Sequence, residues 1–436
     1  MSHHIPMYTT LDDWMKQEAI PFSLDSPETL YAAIDELIAS LSDSVDLLGF
    51  GEALHGGEEI LILRNQLFQY LVEAHGYSAI AIESSFPRSR IVNEYIAGRG
   101  PVSYEALQDS GFSYGFQGLE ANRELVEWMR QYNASASQRT QLRFYGFDSP
   151  TSAVNTDSPR HTLNFVLDYL DLFDGHSSQQ RRERIDELLG ADDDWENPAA
   201  SMDPTQAVGL SAAAAALRVE MEELISELQI RRPELIAGSD ADRYYEVLQY
   251  ALITRQLLNY HAVLARQTEE RLAKLLGIRG AIMADNLAYI IARERDRGKV
   301  LAFAHNGHLQ RSSKTQFQWG SQVVEWWSAG AHLNEIFGTH YTVIGSGVGV
   351  SEANGIGQPE PNTLEVLLTS LPEPALFIPT YRGAGLPAAE IASLPIRSGS
   401  AKNPSYAPLT PTSFTDFDWL VVLDSATYTR GGLPLP

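Results

Sequence analysis

Six acid and imidazole side chains stand where short apolar runs stop. Glu52 and His55 follow Leu47 to Phe50, Glu83 follows Tyr77 to Ile82, Asp148 follows Leu142 to Phe147, and His305 and His308 follow Val300 to Ala304. Side chains of these two kinds can deprotonate water, hold an imidazole tautomer and return a proton to a leaving group, because imidazole titrates near neutrality. The same nitrogen and oxygen atoms are ligand types for zinc or manganese, although their spacing matches no compact metal motif. The chain has no cysteine, which removes thiolate nucleophiles, thiolate metal sites and disulfides together. Ser84-Ser85, after the second run, lack the flanking glycines that expose a serine nucleophile.

The elements needed to position these residues can be read from periodicity. Each run is short and apolar, as expected of strands buried on both faces of a parallel sheet. Glu58 to Glu73 carries Ile60, Leu63, Leu67 and Leu71 at helical spacing, so Glu52 and His55 fall on a strand-to-helix loop. In open α/β sheets ligands bind outside the carboxyl ends of the strands, and the six side chains are expected at one such mouth. The predicted fold class is α/β, a central mainly parallel sheet flanked by helices, with a large helical insertion roofing the carboxyl ends of the strands. Its expected parts are 1–160, the first part of the core with the catalytic loops; 161–295, the insertion; and 296–436, the second part of the core. Ser26-Pro27 starts a helix before the first strand. Within the insertion, helices are expected over His161–Leu172, Gln206–Ile230, Asp242–Leu276 and Ile282–Arg293, with a loop over Gly175–Pro204. Tyr341–Ser346, Ala375–Pro379 and Trp419–Leu423 read as later strands, and Gly383 to Pro408 as loop. Gly345, Gly347 and Gly349 are not followed by a convincing helix, which argues against a dinucleotide site.

With those elements in place, the motifs resemble the erythromycin esterase family. GEALHGGEE is similar to its GEATHG segment, AIES to its second-strand glutamate, and FAHNGHL to its WAHNAH segment. EANRELVEWMRQYN from Glu120, YGFD from Tyr145 and RGAIMADN from Arg279 are weaker matches in the same order. Two positions depart: Gly280 replaces the aspartate of the family's Arg-Asp pair, and Leu54 replaces the threonine before the first histidine. The resemblance implies a metal-independent hydrolase of an ester or macrocyclic lactone, with no cofactor, and points to His55. A macrolide or other lactone natural product is the implied small-molecule substrate, and antibiotic resistance the implied role.

Ester hydrolysis without a serine or cysteine nucleophile needs a base for water, donors for the oxyanion and an acid for the leaving alkoxide. His55 is the expected base, with Glu52 or Glu83 holding its tautomer. His305 is the second candidate for proton transfer or oxyanion contact, and Arg279 could bring positive charge to the oxyanion. His308, Asn306, Asp148, Glu120 and Arg90 are the candidates for substrate binding. Each has a structural alternative: His55 as a helix cap, Glu83 paired with Arg88 or Arg90, His308 packed beneath its loop and Asp148 as a loop brace. Three other functions stay open: a metal-dependent hydrolase using Glu52, His55, Glu83, His305 and His308, a biosynthetic lyase or acyl-transfer enzyme, and a small-molecule binding protein. Substrate choice is expected to reside in the insertion, where Tyr245, Tyr250 and Tyr260 are carried on long helices.

Composition bounds the partners. Fifty-six acidic against 32 basic residues give a formal charge of -24, which opposes nonspecific attraction to nucleic acid or anionic membrane and would favour a cationic amino sugar. Solubility explains the same charge. No stretch approaches the roughly 18 consecutive apolar residues of a membrane span, and MSHHIPMYTT lacks an apolar signal segment, so a cytoplasmic location is expected.

Overall fold

The computed structural model describes residues 6–435 apart from 108–109, 136–139, 152–155, 175–176 and 321. The expected strands are all present, most of them longer than their apolar runs because they continue into the polar ends. They are β2 (Leu47–Glu52), β3 (Tyr77–Ser85), β4 (Arg143–Asp148), β5 (Lys299–His305), β8 (Tyr341–Val350), β9 (Ala375–Pro379) and β10 (Trp419–Ser425). Three more had been missed: β1 (Ile20–Phe22) and the hairpin β6 (Thr315–Trp319) and β7 (Gln322–Trp326). β1 is too short to show a period, and only Gly320, with φ of 59°, marks the hairpin's turn in the sequence.

Eight strands form one sheet in the order β1-β9-β10-β8-β2-β5-β3-β4. From β10 to β4 every neighbouring pair is parallel, while β9 runs antiparallel to both β10 and β1. Alternate residues feed two cores, as a sheet covered on both faces requires. Leu47, Ala79, Ala81, Val300, Ala302 and Ala304 enter one, and Leu48, Phe50, Ile80, Ile82, Leu301 and Phe303 the other. Strand order matters more for the site than strand length. β5 lies between β2 and β3, so Glu52 pairs in register with His305, and Ser85 with Asp148.

The insertion is helical but divided differently from its periodicity. The stretch expected as one helix from Asp242 to Leu276 is two, Ala241–Leu264 and Arg271–Glu294, the second absorbing the helix expected over Ile282–Arg293. The break falls in the polar run Arg266 to Arg271, which holds no glycine or proline to mark it. Arg271 holds the turn by donating from Nη1 to the Leu264 carbonyl and from Nη2 to the Ser201 carbonyl at 2.8 Å. The loop expected over Gly175–Pro204 contains helices Ser177–Leu189 and Asp192–Trp195, whereas its first two residues lie outside the described residues. Charged side chains dominate that first helix, which hides its apolar face. Arg271–Glu294 is long and apolar enough to cross a membrane, but Ile282, Met283, Leu287 and Ile290 are buried in the protein core.

Both departures from the family motifs are packing positions. Leu54 is fully buried in the core beneath the β2 loop. A Cβ on Gly280 would stand 2.6 Å from the Trp327 carbonyl oxygen, so the helix can approach the β7 connection only without a side chain. Gly280→Asp, restoring the family's carboxylate, is therefore expected to destabilise the fold by about 1–3 kcal/mol through overpacking. Urea denaturation checks this; an unchanged midpoint would mean that the 327–329 connection yields freely.

Candidate functional site

β2 ends in Glu52 and turns through Ala53 and Leu54 to His55, three residues before the helix Glu58–Ala74 begins. His55 is not that helix's cap: Gly57 occupies the position and makes no side-chain capping bond. Instead His55 Nδ1 lies 2.6 Å from Glu52 Oε1, which fixes the ring by its inner nitrogen. Burial would lower the imidazole's pKa, but the Glu52 charge and hydrogen bond, helped by Glu83, outweigh burial and the opposing Arg279. The result is a value raised to about 9. About a third of the His55 side chain remains open to solvent, whereas Glu52 is almost wholly covered.

Glu83, at the end of β3, is the hub of the second half. Its Oε1 accepts from Arg279 Nη2 at 2.9 Å and lies 3.1 Å from His308 Nε2, while Oε2 accepts the His305 N–H at 2.9 Å. Burial pushes its pKa up, but His308, His55 and Arg279 together hold it well below the usual carboxylate range. Arg279 reaches across from the helix Arg271–Glu294 and also grips Asp148, Nε to Oδ1 at 2.9 Å and Nη2 to Oδ2 at 2.6 Å. Tyr114, whose hydroxyl is 2.6 Å from Asp148 Oδ2, places its ring under the guanidinium at 5.5 Å. Glu83 therefore pairs with Arg279, not with Arg88 or Arg90 as its structural alternative required.

His305 and His55 have ring centroids 5.3 Å apart, but His305 has no free nitrogen. Its Nε2 donates to the Ser405 carbonyl at 2.8 Å and its Nδ1 accepts the Gly307 N–H at 3.1 Å. Burial, with His55 and His308 nearby, lowers its pKa to about 3. This corrects its expected part in proton transfer: the ring is a neutral wall of the site. Asn306 is likewise drawn away from substrate, because its amide donates to the Ser346 carbonyl at 2.8 Å and accepts the Ser346 N–H at 3.1 Å. That clamp ties β5 to β8.

The remaining expected residues lie outside the cluster. Arg90 pairs with Glu246 at 2.8 Å and stacks over Phe165 in the insertion. Glu120 opens the helix Glu120–Ser135 with its N–H on the Arg430 carbonyl, while its neighbours Leu119 and Asn122 line the cavity at His55. That cavity admits water-sized spheres over about 20 Å³, room for one water. Its other walls include Leu61, Ile82, Phe116 and Phe303. Tyr250, one of the aromatics carried on the insertion's long helices, is buried against Phe165, with ring centroids 3.8 Å apart.

Arg64 is a cavity-lining residue that no motif singled out. It is 1 % exposed, lines the cavity, lies over Phe303 and donates to Asn122 Oδ1 at 2.8 Å. Burial lowers its pKa to about 10 despite the opposing Glu52 charge. A signal existed: Arg64 interrupts the buried stripe between Ile60 and Leu67, and a charge there is rarely accidental. Phe116, on a loop latched to β3 by reciprocal Ser113–Ser84 and Ser85–Ser113 bonds, had no sequence signal.

The family model for erythromycin esterase matches residues 72–424. Erythromycin esterase type II of Escherichia coli is 24 % identical over 310 residues, covering 69 % of this chain and 69 % of that protein. Type I of the same organism is 24 % identical over 295 residues, covering 64 % and 65 %. Among solved structures, a Bacillus cereus protein aligns with TM-score 0.73 and 18 % identity over 97 % of this chain and 98 % of its own. A mutant of the erythromycin esterase EreC in its open conformation aligns with TM-score 0.63 and 18 % identity, over 93 % and 98 %. At these identities the structural likeness is one of fold.

Proposed function

We propose that this chain, which belongs to the erythromycin esterase family, hydrolyses a carboxylic ester or lactone with water activated by His55. The observation that carries the reading is the Glu52–His55 pair at 2.6 Å beside a cavity with room for one water. Glu52 occupies Nδ1, which leaves Nε2 to take the proton. The imidazolium so formed sits against a carboxylate that stabilises it and then returns the proton to the alkoxide. Arg279 Nη1, bonded to neither Asp148 nor Glu83, is the proposed oxyanion donor. The substrate is proposed to be a natural-product ester, with a macrolide or another lactone as the first class to test.

Incubation with a panel of macrolides, lactones and simple esters, followed by mass spectrometry, is expected to show a product heavier by one water. Its kcat/KM should climb with pH through about 9, where His55 loses its proton. No gain in mass across the panel would favour the lyase, acyl-transfer or binding alternatives.

A metal-assisted version of the reaction has one feature in its favour: ligand atoms of Glu52, His55 and Glu83 lie within 4.8 Å of one another. Against it, both oxygens of Glu83 already accept hydrogen bonds, from Arg279, His308 and the His305 N–H, so an ion would have to share that carboxylate with a guanidinium that repels it. Full activity after dialysis against chelator would discard it.

A further inference from the structure

The segment from Arg397 to Ala407, read from sequence as featureless loop, runs across the ends of β2 and β5. We infer that Ser405, braced by Asn403, is a positioning residue that fixes both imidazoles of the site, the backbone of His55 through its hydroxyl and the ring of His305 through its carbonyl. The inference rests on His55 being the base.

Ser405 Oγ accepts the His55 N–H at 2.9 Å and donates to Asn403 Oδ1 at 2.6 Å, while the Ser405 carbonyl accepts from His305 Nε2 at 2.8 Å. Asn403, 4 % exposed, donates from Nδ2 to the His55 carbonyl and to Asn354 Oδ1, both at 2.9 Å. Thus the N–H and the C=O of His55 are both held from the same segment. Ala407 adds a bond from its N–H to the Ala53 carbonyl at 2.8 Å, on the other side of the loop.

The segment is itself anchored from below. Buried Arg397 donates to the Val348 carbonyl at 2.7 Å and the Gly349 carbonyl at 2.6 Å, and Ser400 Oγ donates to the Asn354 carbonyl at 2.6 Å. The Ser405 hydroxyl both accepts from one group and donates to another, and alanine would leave the His55 N–H without its acceptor. The chemical consequence concerns direction. His55 can aim Nε2 at water only while its main chain holds Nδ1 against Glu52, and the His305 ring stays a neutral Nε2–H tautomer while the Ser405 carbonyl accepts from it.

The test compares Ser405→Ala, Ser405→Thr and the wild type on an ester the enzyme turns over. Ser405→Ala is expected to lower kcat on the order of ten- to a hundredfold, the scale of a misaligned catalytic group, with KM little changed. Ser405→Thr, which keeps the hydroxyl, should recover most of that rate. Nitrogen-15 NMR of histidine-labelled wild-type protein should show His305 as the neutral Nε2–H tautomer. Wild-type kcat in Ser405→Ala beside an inactive His55→Ala would overturn the positioning role and leave the base assignment standing. Equal kcat losses in both Ser405 variants, tracking a fall in folded fraction by circular dichroism, would overturn it too, as would an Nδ1–H tautomer at His305. A fully active His55→Ala would instead bring down the base assignment on which it rests.

Discussion

His55→Ala is expected to lower kcat/KM by on the order of a hundred- to ten-thousandfold, an effect far larger than its loss of folding stability. The asymmetry follows from position. The His55 ring is bonded to Glu52 and faces a cavity, and the bonds from Ser405 and Asn403 that hold its loop go to main-chain atoms that alanine keeps. Its removal leaves Glu52 without a partner on Oε1, at a place where one water has room to substitute. Glu52→Gln provides the companion measurement. Loss of the carboxylate charge should bring the ascending limb of the pH profile down from about 9 toward the ordinary imidazole range, because that charge and its hydrogen bond are what raise His55 against burial. If His55→Ala lost stability in proportion to activity, the residue would be structural.

The difference between what the sequence disclosed and what it withheld has a physical pattern. Strands buried on both faces write themselves as continuous apolar runs, so β2, β3, β4 and β5 were legible together with the polar residues that end them. Strand order is not written locally, yet a parallel sheet puts all carboxyl ends on one edge, and that was enough to bring His55 and His305 together. Direction of side chains was the hidden quantity. Asn306 and His305 sit at the end of β5, beside Glu83 on β3, but Asn306 turns back to Ser346 and His305 is spent on Ser405 and Gly307. Ser405 was invisible for the opposite reason: its segment has no period, and its importance comes from carbonyl and hydroxyl contacts with residues far away in the chain. Within the insertion, Tyr250 stacks on Phe165 in the helical core while Tyr245 is partly exposed, and Phe116 and Leu119 from a short loop wall the cavity.

Arg279→Met should behave in the reverse manner to His55→Ala, with a loss of roughly 3–5 kcal/mol in folding stability. Among the described residues the guanidinium is the only cation bonded to Asp148, which is fully buried, and it shares Glu83, also buried, with His308. Methionine would fill much of the same volume but leave Asp148 with the Tyr114 hydroxyl and the Ser149 N–H as its partners among the described residues. An ionised carboxylate in that position is far costlier than a missing neutral hydrogen bond. The helix Arg271–Glu294 would also lose one of the side chains that join it to β3 and β4, leaving Asn286 and Glu294 to do so. Activity should fall with stability, because Glu83 helps set the His55 charge and Arg279 is the proposed oxyanion donor. Arg279→Lys should not rescue either property fully, since a point charge cannot span the two Asp148 oxygens and Glu83 at once. A methionine variant with the wild-type urea midpoint and only kcat reduced would make Arg279 a catalytic donor with no structural share, and the buried triad would have to be redrawn.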